Sequence, residues 1–148
     1  MTRYVVISAG LSDPSTTRML ADLIVTAVRQ QDPSASVSVI GLRDLAHDIT
    51  DATLTGFASP RLQNAYDQVG SADALIAVTP IFKASFPGLF KSFFDALDND
   101  ALVGKPVLLA ATGGTARHSL AIDFALRPLF AYFQALIVPT GIFASPHD

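Results

Sequence analysis

One feature constrains this chain more than any other: short strand-like runs alternate with helical patterns along its whole length. Tyr4-Val5-Val6-Ile7-Ser8, Ala74-Leu75-Ile76-Ala77-Val78 and Val107-Leu108-Leu109-Ala110-Ala111 read as buried strands. Ser36-Val37-Ser38-Val39-Ile40 alternates, as a strand nearer a sheet edge does. Ala135-Leu136-Ile137-Val138 reads as the fifth strand. Between them apolar residues recur at helical spacing: Met19, Leu20, Leu23, Ile24, Ala27 and Val28; Leu62, Ala65, Tyr66 and Val69; Leu89, Phe90, Phe93, Phe94 and Leu97. Leu120, Ala121, Phe124, Ala125, Leu129 and Phe133 close the series, with Pro128 predicting a kink or a break. Such alternation predicts an α/β three-layer sandwich, a parallel sheet with helices on both faces. Five strands suit the order 2-1-3-4-5, in which the exits of the first, third and fourth strands line one crevice.

The 148 residues suit a single domain, 1–148, and 50% hydrophobic residues suffice to cover both sheet faces. A formal net charge of −3 offers no basic stripe for nucleic acid. With 0 cysteines, disulfides, thiolate metal sites and cysteine nucleophiles are excluded. His47, His118 and His147 lie far apart without metal-ligand spacing, so no metal site is expected. Met1-Thr2-Arg3-Tyr4 enters a strand at once without a signal-peptide layout, and no apolar run reaches the length of a membrane span. A soluble cytoplasmic protein is the expectation.

The three exits differ in chemistry. Ala9-Gly10-Leu11-Ser12-Asp13-Pro14-Ser15-Thr16-Thr17-Arg18 sets four hydroxyls at the start of a helix. Unpaired N–H groups and partial positive charge there suit a phosphate, although the same residues also read as a plain helix cap. Neither G-x-G-x-x-G nor G-x-x-x-x-G-K-[ST] is present, and a hydroxyl-rich loop suits a single terminal phosphate. Thr79 to Gly88 holds two prolines, a lysine and two aromatics between strand and helix. Pro80 stiffens the strand exit, and Ser85 is the expected helix cap with Pro87 in the first turn. A rigid loop of this kind suits a flat ligand edged with heteroatoms. Thr112-Gly113-Gly114-Thr115-Ala116-Arg117-His118 is the third exit. Residues 41–60 read as polar and irregular, with short helical turns near Leu42–Leu45 and Ala52–Thr55, and His47 and Asp48 on the surface. Arg117, Asp123 and Arg127 read as helix-surface or interface ion pairs, and Phe90, Phe93 and Phe94 as core or dimer contacts.

In this order and spacing the three loops resemble the NADPH-dependent FMN reductases of the flavodoxin-like fold, in particular the small reductases that supply reduced flavin to two-component, luciferase-like monooxygenases. The likeness runs from the first strand to Gly141. Ser8 to Arg18 resembles the family's phosphate loop, and Thr79 to Lys91 its T-P-x-[YF]-K-[AG]-[SA] flavin loop. Ala111 to Thr115, followed by His118 to Pro128, carries the rest. The resemblance implies that Ser12, Ser15, Thr16 and Thr17 hold the FMN phosphate, with Arg18 as a charged neighbour. It implies that Pro80, Ile81, Phe82, Lys83 and Ser85 line the isoalloxazine ring. Thr112, Gly113 and Gly114 would meet the pyrimidine edge through backbone N–H groups.

Phe82 stands where many relatives carry tyrosine, so no role can rest on that hydroxyl. His118 opens the next helix, where some relatives place an insertional tyrosine; it reads as a helix-start or interface residue. The implied activity is hydride transfer from NADPH or NADH to FMN N5, with reduced flavin passed to a partner monooxygenase and no side-chain catalyst required. A quinone or azo reductase, a flavodoxin-type electron carrier and a flavin-free relative are the alternatives. A homodimer or homotetramer is implied as well. The sequence ends at Asp148, just after the fifth strand, where this fold normally receives a further helix. A C-terminal tail outside this sequence, or a partner chain, would cover that face.

Overall fold

The computed structural model describes residues 1–146, so the reading of His147 lies outside the described residues. β1 (Arg3–Ser8) buries Val5, Val6 and Ile7 on both faces, as a central parallel strand does. It pairs in parallel with β2 (Ser36–Gly41) on one side and β3 (Ala74–Pro80) on the other. β4 (Pro106–Thr112) continues the sheet beside β3, giving the expected order 2-1-3-4-5.

The fifth strand is broken, which the sequence pattern does not foresee. β5 (Leu136–Ile137) pairs with Pro106 and Val107, while β6 (Ile142–Ala144) pairs with Ala110, Ala111 and Thr112 of the same neighbour. Pro139, between them, has no N–H for a ladder. Arg127 satisfies the carbonyls at the break, donating from Nη1 to Val138 O at 3.0 Å and from Nη2 to Pro139 O at 2.5 Å. Its Nε holds Asp123 at 2.7 Å, so that expected ion pair is present. Arg117 makes none among the described residues.

α1 (Thr16–Gln31) packs against Val6, Ile76, Val78 and Ala110 on one face of the sheet. The opposite face carries the larger core, built with α2 (Ala46–Thr55), α3 (Pro60–Ser71), α4 (Gly88–Asp95) and α5 (Arg127–Tyr132). Phe90, Phe93 and Phe94 are core residues: ring centroids of Phe90 and Phe94 lie 4.9 Å apart, and Phe94 meets Phe130 edge-on at 5.1 Å. The last helical pattern runs through Pro128 without a break, but its hydrogen bonding changes type on the way. A 3₁₀ turn (Ala116–Leu120) passes into a π turn (Ile122–Leu126) before α5 begins with Pro128 in its first turn.

The segment 41–60 is more ordered than its polar sequence suggests. A 3₁₀ turn (Leu42–Leu45) runs straight into α2, a full ten residues. Ile49 and Ala52 bury against the core, and Asp48 accepts the Ser59 hydroxyl at 2.5 Å while Ser59 caps α3 through the Leu62 N–H. His47 is exposed, as expected.

Two polar links tie α3 to its neighbours. Tyr66 donates to Phe93 O at 2.6 Å. Burial, with the Asp95 charge adding, pushes its hydroxyl above the ordinary tyrosine value, so it remains a neutral donor. Lys105, just before β4, donates to Val69 O at 2.6 Å and Gly70 O at 3.0 Å at the end of α3. Lys105→Met leaves those helix-end carbonyls without their donor and is expected to lower the unfolding free energy by about 1–2 kcal/mol in urea titration. An unchanged midpoint would show that solvent already satisfies them.

Candidate active site

The parallel register sets the strand exits in one row. Ser8 lies opposite both Gly41 and Val78, Pro80 opposite Thr112, and Thr112 opposite Ala144. Hydrogen bonds fasten the loops where they leave the sheet. Ala9 N–H reaches Val78 O at 2.9 Å, Ile81 N–H reaches Thr112 O at 2.9 Å, and Gly113 N–H reaches Ala144 O at 3.0 Å. The three loops singled out in the sequence therefore share one rim.

In the first loop Ser15 caps α1, its Oγ accepting from Arg18 N–H at 3.2 Å. Gly10 lets the loop fold back on this cap, since a Cβ there would stand 1.9 Å from Ser15 Oγ. The N–H groups of Thr16 and Thr17 have no acceptor among the described residues. A cleft of about 390 Å³ lies alongside, lined by Ser8, Gly10, Ser12, Asp13, Ser15 and Arg18 and, from the exit of β2, by Gly41, Arg43 and Asp44. Ser12 donates to Pro14 O at 3.1 Å, and Arg18 is paired with Asp22 at 3.0 Å. The Thr17 hydroxyl is not in the cleft: buried, 2.9 Å from the Thr112 hydroxyl, it joins α1 to the end of β4.

The second loop is a strained hairpin. Phe82 N–H donates to Ser85 O at 2.7 Å and Ser85 N–H to Phe82 O at 3.1 Å. Between them Lys83 (φ 50°) and Ala84 (φ 70°) are both left-handed, the geometry of a type I′ turn that Asn-Gly normally fills. Left-handed backbone costs about 1–2 kcal/mol for each residue with a side chain. Strain held in a rim loop is the pattern of a functional site. The hairpin corrects the expectation for Ser85: it belongs to this turn and does not cap α4. Pro87 is the N-cap, its carbonyl accepting from Phe90 and Lys91 N–H.

The two glycines of the third loop have different reasons. A Cβ on Gly113 would lie 2.8 Å from Phe143 Cζ and 3.2 Å from His118 Cβ, so packing requires glycine there. Nothing lies within 4 Å of the Cβ position of Gly114, and its φ is outside the left-handed region. Its N–H has no acceptor among the described residues. Gly114 faces a second cleft of about 400 Å³, shared with Thr16, Pro80, Ile81, Phe82, Thr112 and Gly113, with Met19, Leu20 and Leu23 of α1, and with Ala144, Ser145 and Pro146. The clefts open on either side of the first turn of α1: Ser15 and Arg18 face the first, Thr16 and Met19 the second. Lys83 and Ser85 stand outside both linings. Sequence reasoning missed several lining residues: Met19, Leu20 and Leu23, read only as a helix face; Ala144 to Pro146, past the fifth strand; and Arg43 and Asp44, because nothing in the pattern of residues 41–60 connects the β2 exit to the first loop.

A polar cleft at a helix start beside a mainly apolar one, at the strand exits of a 2-1-3-4-5 sheet, defines a flavodoxin-like nucleotide-binding protein. The family model for NADPH-dependent FMN reductase matches residues 2–148. An FMN reductase (NADPH) of Pseudomonas aeruginosa is 42% identical over 146 residues, 99% of this chain and 78% of the relative. The NADH-dependent FMN reductase SfnF of Pseudomonas putida is 40% identical over 97% of this chain and 77% of its own length. An oxidoreductase structure from Corynebacterium diphtheriae superposes with a TM-score of 0.94 at 48% identity, covering 100% of this chain and 84% of that one. The chain belongs to the NADPH-dependent FMN reductase family and is an oxidoreductase of flavin and reduced nicotinamide nucleotide.

The residues present fit that cofactor on structural grounds. Thr16 and Thr17 supply unpaired N–H donors at the start of α1, between the two clefts, and Gly114 leaves an open Cβ position and a free N–H where a flat ring can approach. Gly10→Ala should displace the Ser15 cap, costing about 1–2 kcal/mol of stability and weakening FMN binding together. Urea unfolding and flavin-fluorescence titration would read both; a variant as stable as the parent would show that the loop tolerates the extra carbon.

Proposed function

We propose that this chain holds FMN across the two clefts, catalyses its reduction by NADPH or NADH, and releases reduced flavin to a partner monooxygenase. Bound FMN would supply the redox chemistry, as the acceptor of hydride from the nicotinamide. The chain's own residues hold and orient. The N–H groups of Thr16 and Thr17, with the hydroxyls of Ser12 and Ser15, would receive the phosphate, and Arg18 adds positive charge at the rim. Pro80, Ile81 and Phe82 would wall the ring, with the hairpin of Lys83 and Ser85 keeping that wall in place. Thr112 and Gly113, both fixed in the ladder, set the position of Gly114. Its N–H would meet the pyrimidine edge, where negative charge grows on reduction. Phe82 is 46% exposed, which leaves the outer side of the second cleft open to a nicotinamide ring.

The observation that carries this reading is Gly114: neither packing nor backbone conformation calls for glycine there, and its N–H is free at the edge of the apolar cleft. The similar proteins are named for NADPH in one case and NADH in another, so both nucleotides belong in the assay. Leu120, Phe124, Tyr132 and Leu136 are 62%, 77%, 67% and 62% exposed along residues 116–136, which supports a homodimer or homotetramer. A cytoplasmic location agrees with a supply of reduced nicotinamide. No helix among the described residues is long and apolar enough to cross a membrane.

Anaerobic stopped-flow mixing of the FMN-loaded protein with NADPH and with NADH tests the reading. Loss of the visible flavin absorbance is expected with at least one nucleotide. Gly114→Ala should melt as the parent does while its FMN affinity falls about tenfold, a loss of about 1.4 kcal/mol. Turnover with menadione above that with free FMN would redirect the reading to a quinone reductase. A bound flavin that neither nucleotide reduces would redirect it to an electron carrier.

A further inference from the structure

We propose that Arg43 reads the flavin phosphate and that Asp13 holds its guanidinium beside the cleft until the phosphate arrives; this rests on FMN occupying the rim as described above. Arg43 comes from the turn after β2, a strand exit outside the three loops of the sequence motif. The 3₁₀ turn brings Leu42 and Leu45 to the same side, and both are buried, so Arg43 and Asp44 face outward. The turn is pinned from below by Arg61, whose Nη2 donates to Asp44 O at 2.7 Å. Because Gly41 is in register with Ser8, the turn stands next to the first loop, and Arg43 shares the 390 Å³ cleft with Ser12 and Ser15.

Four charges border this cleft: Arg18 and Arg43 against Asp13 and Asp44. Arg18 is answered on its own helix by Asp22 at 3.0 Å. The Asp44 carboxylate lies back over Gly41, with Oδ2 3.6 Å from the Cβ position there. Arg43 is left with Asp13 alone, Nη1 to Oδ2 at 3.8 Å, with side chains 53% and 84% exposed. An ion pair so long and so wet holds weakly. The Arg43 guanidinium makes no hydrogen bond to a described residue, so its donor fork is free. A phosphate monoester carries up to twice the charge of a carboxylate and matches that fork with two oxygens, so it displaces Asp13. The amides at the start of α1 then hold the phosphate on one side and Arg43 holds it on the other. The consequence is selectivity: Arg43 matters to FMN and not to riboflavin, which has the same ring and no phosphate.

Fluorescence titrations of FMN and of riboflavin into the full chain test this, using the parent, Arg43→Gln, Arg43→Lys and Asp13→Asn at two salt concentrations. Arg43→Gln should weaken FMN by about tenfold or more, leave riboflavin within about twofold, and flatten the salt dependence for FMN. Arg43→Lys should fall between, because a point charge keeps attraction but not the two-oxygen match. Asp13→Asn should tighten FMN by releasing the fork. Equal effects of Arg43→Gln on both flavins, or none on either, overturn the role of Arg43; no tightening in Asp13→Asn overturns the holding role of Asp13. A parent that binds neither flavin overturns the flavin site itself, whereas a parent that binds both equally well overturns only the reading of the phosphate.

Discussion

Pro80 lies opposite Thr112, Thr112 opposite Ala144, and Ser8 opposite Val78 and Gly41. That parallel register is what the site depends on, because it ends neighbouring strands at one level and sends their loops out along a single rim. The Ala9–Val78, Ile81–Thr112 and Gly113–Ala144 hydrogen bonds fasten the loops at that level, so the register cannot slip without breaking them. The buried Thr17–Thr112 hydroxyl pair adds a cross-tie at the same level. It binds the start of α1 to the end of β4. The distance between the start of α1 and the end of β4 is thus set inside the core.

What the rim can do chemically follows from which backbone donors are already engaged. The N–H groups of Ala9, Ile81 and Gly113 serve the sheet, and those of Phe82 and Ser85 serve the hairpin. Those of Thr16, Thr17 and Gly114 remain for a ligand among the described residues. This division assigns the glycines separate roles: Gly113 admits Phe143, and Gly114 admits whatever enters the cleft. The left-handed Lys83-Ala84 turn fits the same logic, since a loop held by two mutual hydrogen bonds can keep a strained shape ready for a flat ring. Hydride transfer between two held rings asks for placement and charge stabilisation more than for an acid or a nucleophile.

The sheet and its order were readable because a buried parallel strand needs an unbroken apolar run; three such runs stand clear in the sequence, with the alternating Ser36–Ile40 beside them. The fifth failed where side-chain bonds from Arg127, eleven and twelve residues upstream, make up for a broken ladder, which no local pattern records. α2 was underestimated for a related reason: Asp48 finds Ser59 only after the chain has folded. The three rim loops were recognisable as motifs, but the use made of each residue was not. Whether a serine caps a helix or closes a turn depends on the φ of its neighbours, and Ser85 is decided by Lys83 and Ala84. Arg43 was invisible because its place in the cleft comes from register, a property of two strands together.

The most direct measurement is a crystal structure of the FMN complex. The account predicts the phosphate against the N–H groups of Thr16 and Thr17, and the pyrimidine edge within hydrogen-bonding distance of Gly114 N, about 2.7–3.2 Å. A flavin seated at the opposite rim, or one whose phosphate lies away from the start of α1, would contradict it.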